Sequence, residues 1–559
     1  MKTRIKLVSI SVFIALEMLI AKSYGQASYA WAVNGSQPGD FAEVTDVTVD
    51  GDGNSYVLLS YTEPLSFGAV TLNPIGELDL AVVKFDPAGV AQWGVSAGSV
   101  TNDKGNAIAV DNTGSVYVTG YITGVASFGI LPPVSDNIPD LSSEFFIGKI
   151  GPSGQWLWVR QQSSQSVAEG KDVSIDTEGN VVVGGIFYAA DLNLDGQILQ
   201  ASEQLPFVAK YTNSGAIQWA FAPVASNGAT FSSLTCTLSN HIAFTGSFGS
   251  GEVGLATLSA GNIDLLNEGD PDELITANDV YVLELDENGT PLWGQNAGSI
   301  YIEAYAGNIT SGPNNQLYIS GFFQEAMQSA DASVSIETFG GADDYDYFVA
   351  SLNNDGSWAW LRAVGNEAYN LGNLIIKATN NGAIYLAGSL NDFPIEFGSD
   401  ILQSQGANSS FVSRMFSDGS FQWGFALPEL YSFDVVTENI LYVCGKFSGT
   451  TAFGDTALVS TTAAADVYHA RILYGPDLPN STSMAEQIEV TAYPNPFTDF
   501  IDINCREAIE SITVFDALGR EVKCTFSSHR ITFDQLEPGN YFIRMISSAG
   551  LSTLKVVKL

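Results

Sequence analysis

The stretch Val49–Ser60, "VDGDGNSYVLLS", can be read in two ways. Asp50, Asp52 and Asn54 alternate with glycines, as oxygen ligands of a hard cation do in a calcium loop. The same residues also suit a tight turn between strands, because Asp and Asn bond to their own backbone and tolerate turn conformations. Self-similarity along the chain separates the readings. "VDNTGSVYVTGY" (110–121), "IDTEGNVVVGGI" (175–186) and "ATNNGAIYLAGS" (378–389) repeat the pattern of alternating strand, polar turn ending in Gly, second strand. An EF-hand loop also needs Gly at its sixth position and Glu at its twelfth. Counted from Asp50, those positions hold Ser55 and Tyr61. The stretch is therefore expected to be a hairpin turn, one of a series.

A second hairpin recurs beside the first. "DPAGVAQW", "GPSGQWLW", "TNSGAIQW", "DENGTPLW", "NNDGSWAW" and "FSDGSFQW" each place Gly four residues before a Trp. This predicts a left-handed Gly at a turn, feeding a strand fixed by a large aromatic. Trp31, Trp93, Trp158, Trp219, Trp293, Trp360 and Trp423 stand 61 to 74 residues apart and are expected to pack between units. Gly120, Gly185, Gly246, Gly321, Gly388 and Gly445 fall late in the second strands, where crowding from a neighbouring sheet is the expected reason.

The last unit, which runs to about Tyr474, has no Gly-to-Trp strand of its own, whereas Ser28–Gly35, "SYAWAVNG", resembles the missing piece. Four strands per unit and seven units, one shared by both ends of the chain, predict an all-β fold. It is a seven-bladed β-propeller closed by the N-terminal strand and followed by a small Ig-like β-sandwich. The units resemble the SBBP-type β-propeller repeats of secreted bacterial proteins. The resemblance rests on "AIAVDNTGSVYVTGY", on Ser66–Gly68 and Ser127–Gly129 ("SFG"), and on "FVAKYTNSGAIQW". It implies a fold and no particular activity.

Lys2, Arg4 and Lys6 ahead of the apolar "LVSISVFIALEMLIA" read as a signal peptide over residues 1–25, leaving the propeller to residues 26–474. No later segment approaches the length of a membrane span. The formal charge is −39, and residues 26–474 carry 11 Lys and Arg against 49 Asp and Glu. That field repels nucleic acid and attracts cations or basic partners. Cys236 and Cys444 lie in apolar strands, and Cys505 and Cys524 fall close enough in the tail to pair in an oxidising compartment.

Residues 475–487 are polar and Pro-bearing, as a linker is, and beyond them the pattern changes. "PNPF", "VFDALGREV", "LEPGNYFIR" and the terminal "KVVKL" occur in that order within residues 488–559. Together they resemble the type A C-terminal sorting domain of the type IX secretion system. The resemblance implies an immunoglobulin-like sandwich that addresses the chain to the type IX machinery, with release or surface attachment of the product.

No catalytic constellation stands out. His241, His469 and His529 lie in different units and the tail, and Arg160, Arg362, Arg414 and Arg471 fall at periodic positions instead of converging on one pocket. Two long connections are acidic: "NEGDPDELITAND" with Asp270 and Asp272, and "GGADDYDY" with Asp343, Asp344 and Asp346. These five aspartates are the candidate calcium ligands, and no other cofactor is indicated. Long loops on a rigid scaffold are where binding residues usually sit. The expected function is an extracellular binding or adhesion module for a glycan or protein. A hydrolase of extracellular polysaccharide or peptide, or a purely structural surface component, is the alternative.

Overall fold

The polar turns are held by one side chain each. Asp50 Oδ1 accepts the backbone N–H groups of Asp52 at 3.0 Å and Asn54 at 2.9 Å, and Gly53 closes the turn at φ +81°. Asp111 and Asp176 do the same in the next two repeats. Asp50 also accepts the hydroxyl of Tyr56, so its oxygens serve the turn. In the computed structural model, residues 27–474 and 491–558 are described, apart from short internal stretches of which 268–277 is the longest. The expected signal peptide, the linker, Asp270, Asp272, Asp343, Cys505 and His529 lie outside the described residues.

The fold is all-β and propeller-like. Seven antiparallel sheets share the order first, second, third, fourth strand. Their first strands are Ala42–Val49, Lys104–Val110, Val167–Ile175, Ser233–Cys236, Ala304–Ser311, Ile375–Ala378 and Leu430–Thr437, for sheets 1 to 7. The fourth strand of sheet 7 is Ala27–Asn34, which pairs antiparallel with Asp466–Tyr474 from Ala27 opposite Tyr474 to Asn34 opposite Tyr468. Neighbouring first strands pack on one another, sheet 7 on sheet 1 included.

Between sheets, six of the seven repeat indoles lie on the hairpin of the next sheet. A Cβ on Gly89 would stand 2.7 Å from Trp31, and Gly154, Gly215, Gly289, Gly356 and Gly419 lie in the same way under Trp93, Trp158, Trp219, Trp293 and Trp360. These glycines have φ between +80° and +84°, so the turn and the ring both exclude a side chain. The indole N–H of Trp31 donates to Pro87 O at 2.9 Å, and that of Trp93 to Pro152 O at 2.9 Å. Trp423 differs. Its neighbour, sheet 7, takes its fourth strand from the other end of the chain and has no such hairpin. Trp423 stacks instead on Tyr474, with ring centroids 4.0 Å apart.

The second-strand glycines have a cause other than the expected one. A Cβ on Gly120, Gly185, Gly246, Gly321 or Gly445 would run into a carbonyl in or just before the first strand of its own sheet, that of Lys104, Glu169, Thr230, Tyr305 or Glu429. Register shifts interrupt several of these first strands, such as Gly105/Ala107 and Gly170/Asp172. The long connections are also put to a different use. Ala326–Ser329 and Ser335–Glu337, from a connection in sheet 5, extend the outer edge of sheet 4, and Ser127–Phe128 caps the edge of sheet 1. They cover strand edges that would otherwise recruit other chains.

A second compact unit is described from Thr491 on. It contains two four-stranded antiparallel sheets, which enclose Phe497, Ile501, Ile503, Val514, Ile531, Ile543 and Val556. Cys524 lies in the strand Cys524–Ser527.

Candidate functional site

A polar cavity of about 250 Å³ touches the first strands of all seven sheets. Short polar side chains on these strands reach across the sheet boundaries. Asp46 of sheet 1 accepts the N–H of Ile108 in sheet 2 at 3.0 Å and the hydroxyl of Ser432 in sheet 7 at 2.7 Å. Asp172 of sheet 3 accepts the Leu234 N–H at 2.9 Å and the Ser233 hydroxyl at 2.6 Å from sheet 4. Asp434 of sheet 7 accepts the N–H of Val49 in sheet 1 at 2.9 Å. Each carboxylate is a clasp between first strands.

Lys377 of sheet 6 supplies the counter-charge. Burial works to lower its ammonium, but Asp434, Asp46 and Asp172 together hold it above the ordinary lysine value. Burial pushes the three carboxyls up, and Lys377 opposes that shift in each. A lysine held protonated cannot act as a base or form a Schiff base at neutral pH. The polar groups that line the cavity thus hold neighbouring sheets together.

The acidic start of the first strands forms a second layer. Glu43 faces Lys104 at 3.8 Å, and Glu169 pairs with Lys171. Glu429 accepts the Tyr431 hydroxyl at 2.9 Å, and the Lys446 ammonium sits 5.2 Å from the Phe41 ring centre and 5.4 Å from that of Tyr431. In sheet 5 the Tyr305 and Phe322 rings lie 5.1 Å apart, with Tyr345 6.3 Å beyond Phe322. Rings, carboxylates and ammonium groups in one layer can grip a polar ligand.

Of the aspartates expected to bind calcium, the two described ones point into their own loop. Asp346, fully buried, accepts the Phe339 N–H at 2.8 Å, and Asp344 accepts that of Gly340 at 3.0 Å. No group of three or more His, Cys, Asp or Glu suited to a metal occurs among the described residues. The tryptophans lie between sheets, away from the cavity lining. Arg160 and Arg471 each donate to a hairpin carbonyl of the next sheet, Gly215 O at 2.7 Å and Pro87 O at 3.1 Å.

Three arrangements escaped the sequence. The first is a chain of polar contacts across the sheet 7–sheet 1 boundary. His469 Nε2 lies 2.7 Å from Ser55 Oγ, and its Nδ1 lies 3.0 Å from Cys444 Sγ and 3.2 Å from Val443 O. It has the outline of a nucleophile and its base, but all three side chains are buried, and burial drives the imidazole pKa down to about 3. Neutral and enclosed by Trp31, Phe85 and Tyr442, His469 is a structural link. The second is a set of buried acids near the start of third strands: Asp79, Glu144, Asp279, Asp346 and Asp466. The recurrence of an acid ahead of "FVAKY"-like strands was the available signal. The third is the clasp set around Lys377, whose members come from sheets 1, 3, 6 and 7 and show no mutual spacing along the chain.

The family model for the secretion system C-terminal sorting domain matches residues 491–559. Among curated proteins, the chain is 24% identical over 189 residues to an uncharacterized WD repeat-containing protein of Acanthamoeba polyphaga mimivirus, covering 30% of this chain. It is 25% identical over 150 residues to the regulatory protein FlaEY of Caulobacter vibrioides, covering 26% of this chain. The chain spans only 14% and 16% of the length of these two relatives. Among solved structures, BamB from Moraxella catarrhalis is 12% identical with a TM-score of 0.31, covering 79% of this chain and 99% of that one. A protein of unknown function from Bacteroides caccae is 10% identical with a TM-score of 0.28, covering 62% of this chain and 90% of that one. The tail of this chain, residues 491–559, is thus a type IX secretion sorting domain, which implies export and a secreted or surface-attached product.

Proposed function

We propose that this chain is an exported seven-bladed β-propeller, closed by its N-terminal strand and built of SBBP-type repeats, that serves outside the cell as a binding or adhesion module. Type IX secretion delivers it, and its ligand is an extracellular glycan or protein. The observation that carries the reading is the sorting domain joined to a scaffold whose polar groups hold sheets together or line an acidic, aromatic layer. Pairing of Ala27–Asn34 with Asp466–Tyr474 supports closure. Calcium at Asp270, Asp272, Asp343, Asp344 and Asp346 belongs to the same proposal and rests on the acid excess of the loops. A thermal midpoint raised equally by calcium and magnesium at matched ionic strength would remove it.

Two measurements test the main reading. Deleting residues 488–559 should leave the protein in the periplasm, and normal surface delivery of the truncated chain would contradict the sorting role. The full chain should retain components of an extracellular surface fraction in a pulldown, or mark specific glycans on an array. Turnover of a polysaccharide or peptide without stable retention would favour the hydrolase instead.

A further inference from the structure

The layer at the start of the first strands contains four glutamates: Glu43, Glu169, Glu303 and Glu429. Two are paired with lysines, and a third, Glu429, shares Tyr431 with a lysine ammonium. Lys104 serves Glu43, Lys171 serves Glu169, and Lys446, seated between Phe41 and Tyr431, follows Gly445 in the strand that pairs with the Glu429 segment. Sheet 5 departs from this pattern. Its residue after the second-strand glycine, Gly321, is Phe322 where sheet 7 has Lys446. The Tyr305 hydroxyl accepts the Asn278 side-chain amide at 2.9 Å, burial and the Glu303 charge push the pKa of that hydroxyl up, and Glu303 has no ion pair among the described residues. Tyr305, Phe322 and Tyr345 are each partly exposed. Sheet 5 therefore presents a carboxylate and the Tyr305 and Phe322 rings with no lysine or arginine over them among the described residues, while sheet 7 shows how this chain seats one.

We propose that the Glu303, Tyr305 and Phe322 cluster binds an ammonium or guanidinium group of a basic protein partner. A cation over an aromatic face is attracted by the ring quadrupole, and a neighbouring carboxylate adds Coulomb attraction. The chain does the same in its second unit, where Arg530 lies 3.8 Å from the Phe500 ring centre and pairs with Asp502. The acid excess of residues 26–474 draws such a partner in but does not position it. The inference rests on the binding-module reading and names the chemistry of one of its ligands.

A fluorescein-labelled hexalysine peptide, titrated into the purified full chain near physiological ionic strength, tests it by anisotropy. Tyr305→Ala and Glu303→Gln should each weaken binding about fivefold or more. Glu178→Gln, which removes the same charge from an exposed tight turn, should leave it unchanged, with circular dichroism confirming that all variants fold. Equal losses for Glu178→Gln and Glu303→Gln, with none for Tyr305→Ala, would mean general attraction to an acidic surface and overturn the site. Absence of peptide binding would also overturn it. If the chain still retained a neutral oligosaccharide or a surface component, the binding-module reading would stand without this site.

Discussion

At the scale of single residues, the clearest consequences come from His469 and Lys377. His469 is buried as a neutral base, its pKa lowered to about 3, while in the unfolded chain it titrates near the ordinary histidine value. Between those values the unfolded state binds the extra proton, so the contribution of His469 to stability is complete above about pH 6.5 and declines as pH falls toward 3. The loss between pH 7 and pH 4 is about 3 kcal/mol. Urea unfolding of the wild type and of His469→Gln at both pH values should show the wild type losing more on acidification, and parallel losses would contradict the assignment. Lys377 acts in the opposite direction. Lys377→Met leaves Asp46, Asp172 and Asp434 without their shared cation and should cost about 3 kcal/mol at pH 7.5. Carboxyls already raised by burial then take up protons more readily when folded, so the deficit against wild type should shrink by pH 5. A deficit independent of pH would mean that Lys377 contributes by packing alone.

At the scale of elements, the Gly-to-Trp hairpin was legible in the sequence because it recurs at fixed spacing. Its partner was not, because the ring that covers Gly289 is Trp219, which is 70 residues earlier in the chain and reaches it only through the fold. Two glycines with the same backbone separate the two effects. Gly179 has φ +81° with nothing within 4 Å of a would-be Cβ, and Gly289 has φ +83° with Trp219 at 2.7 Å. Gly179→Ala should cost about 1 kcal/mol for the left-handed conformation alone. Gly289→Ala should cost about 1–3 kcal/mol more, because the indole must move. Equal changes in unfolding midpoint would show that the indole yields freely. The bulges were invisible for a related reason. A bulge changes the direction of one side chain while leaving the alternation of the strand almost intact, so Asp46 and Asp172 look like ordinary strand residues until their partners are known.

At the scale of the whole molecule, the repeat gave the architecture and the tail gave the destination, but the repeat hid the polar site. A structural repeat predicts what its units share, whereas Lys377, Phe322 and His469 matter because their sheets differ from the rest. The same exception marks sheet 7, where the two ends of the region meet and Trp423 rests on Tyr474 for want of a hairpin. If the ring is closed there, Ala27–Asn34 supplies the last outer strand, seats Trp31 over Gly89 and covers the edge of Asp466–Tyr474. Urea unfolding of the mature chain with and without residues up to Gly35 measures this most directly. The account predicts a midpoint lowered by the equivalent of about 3–5 kcal/mol, with a new tendency to self-associate through the bared edge. An unchanged midpoint in a monomeric truncated protein would contradict closure by the N-terminal strand.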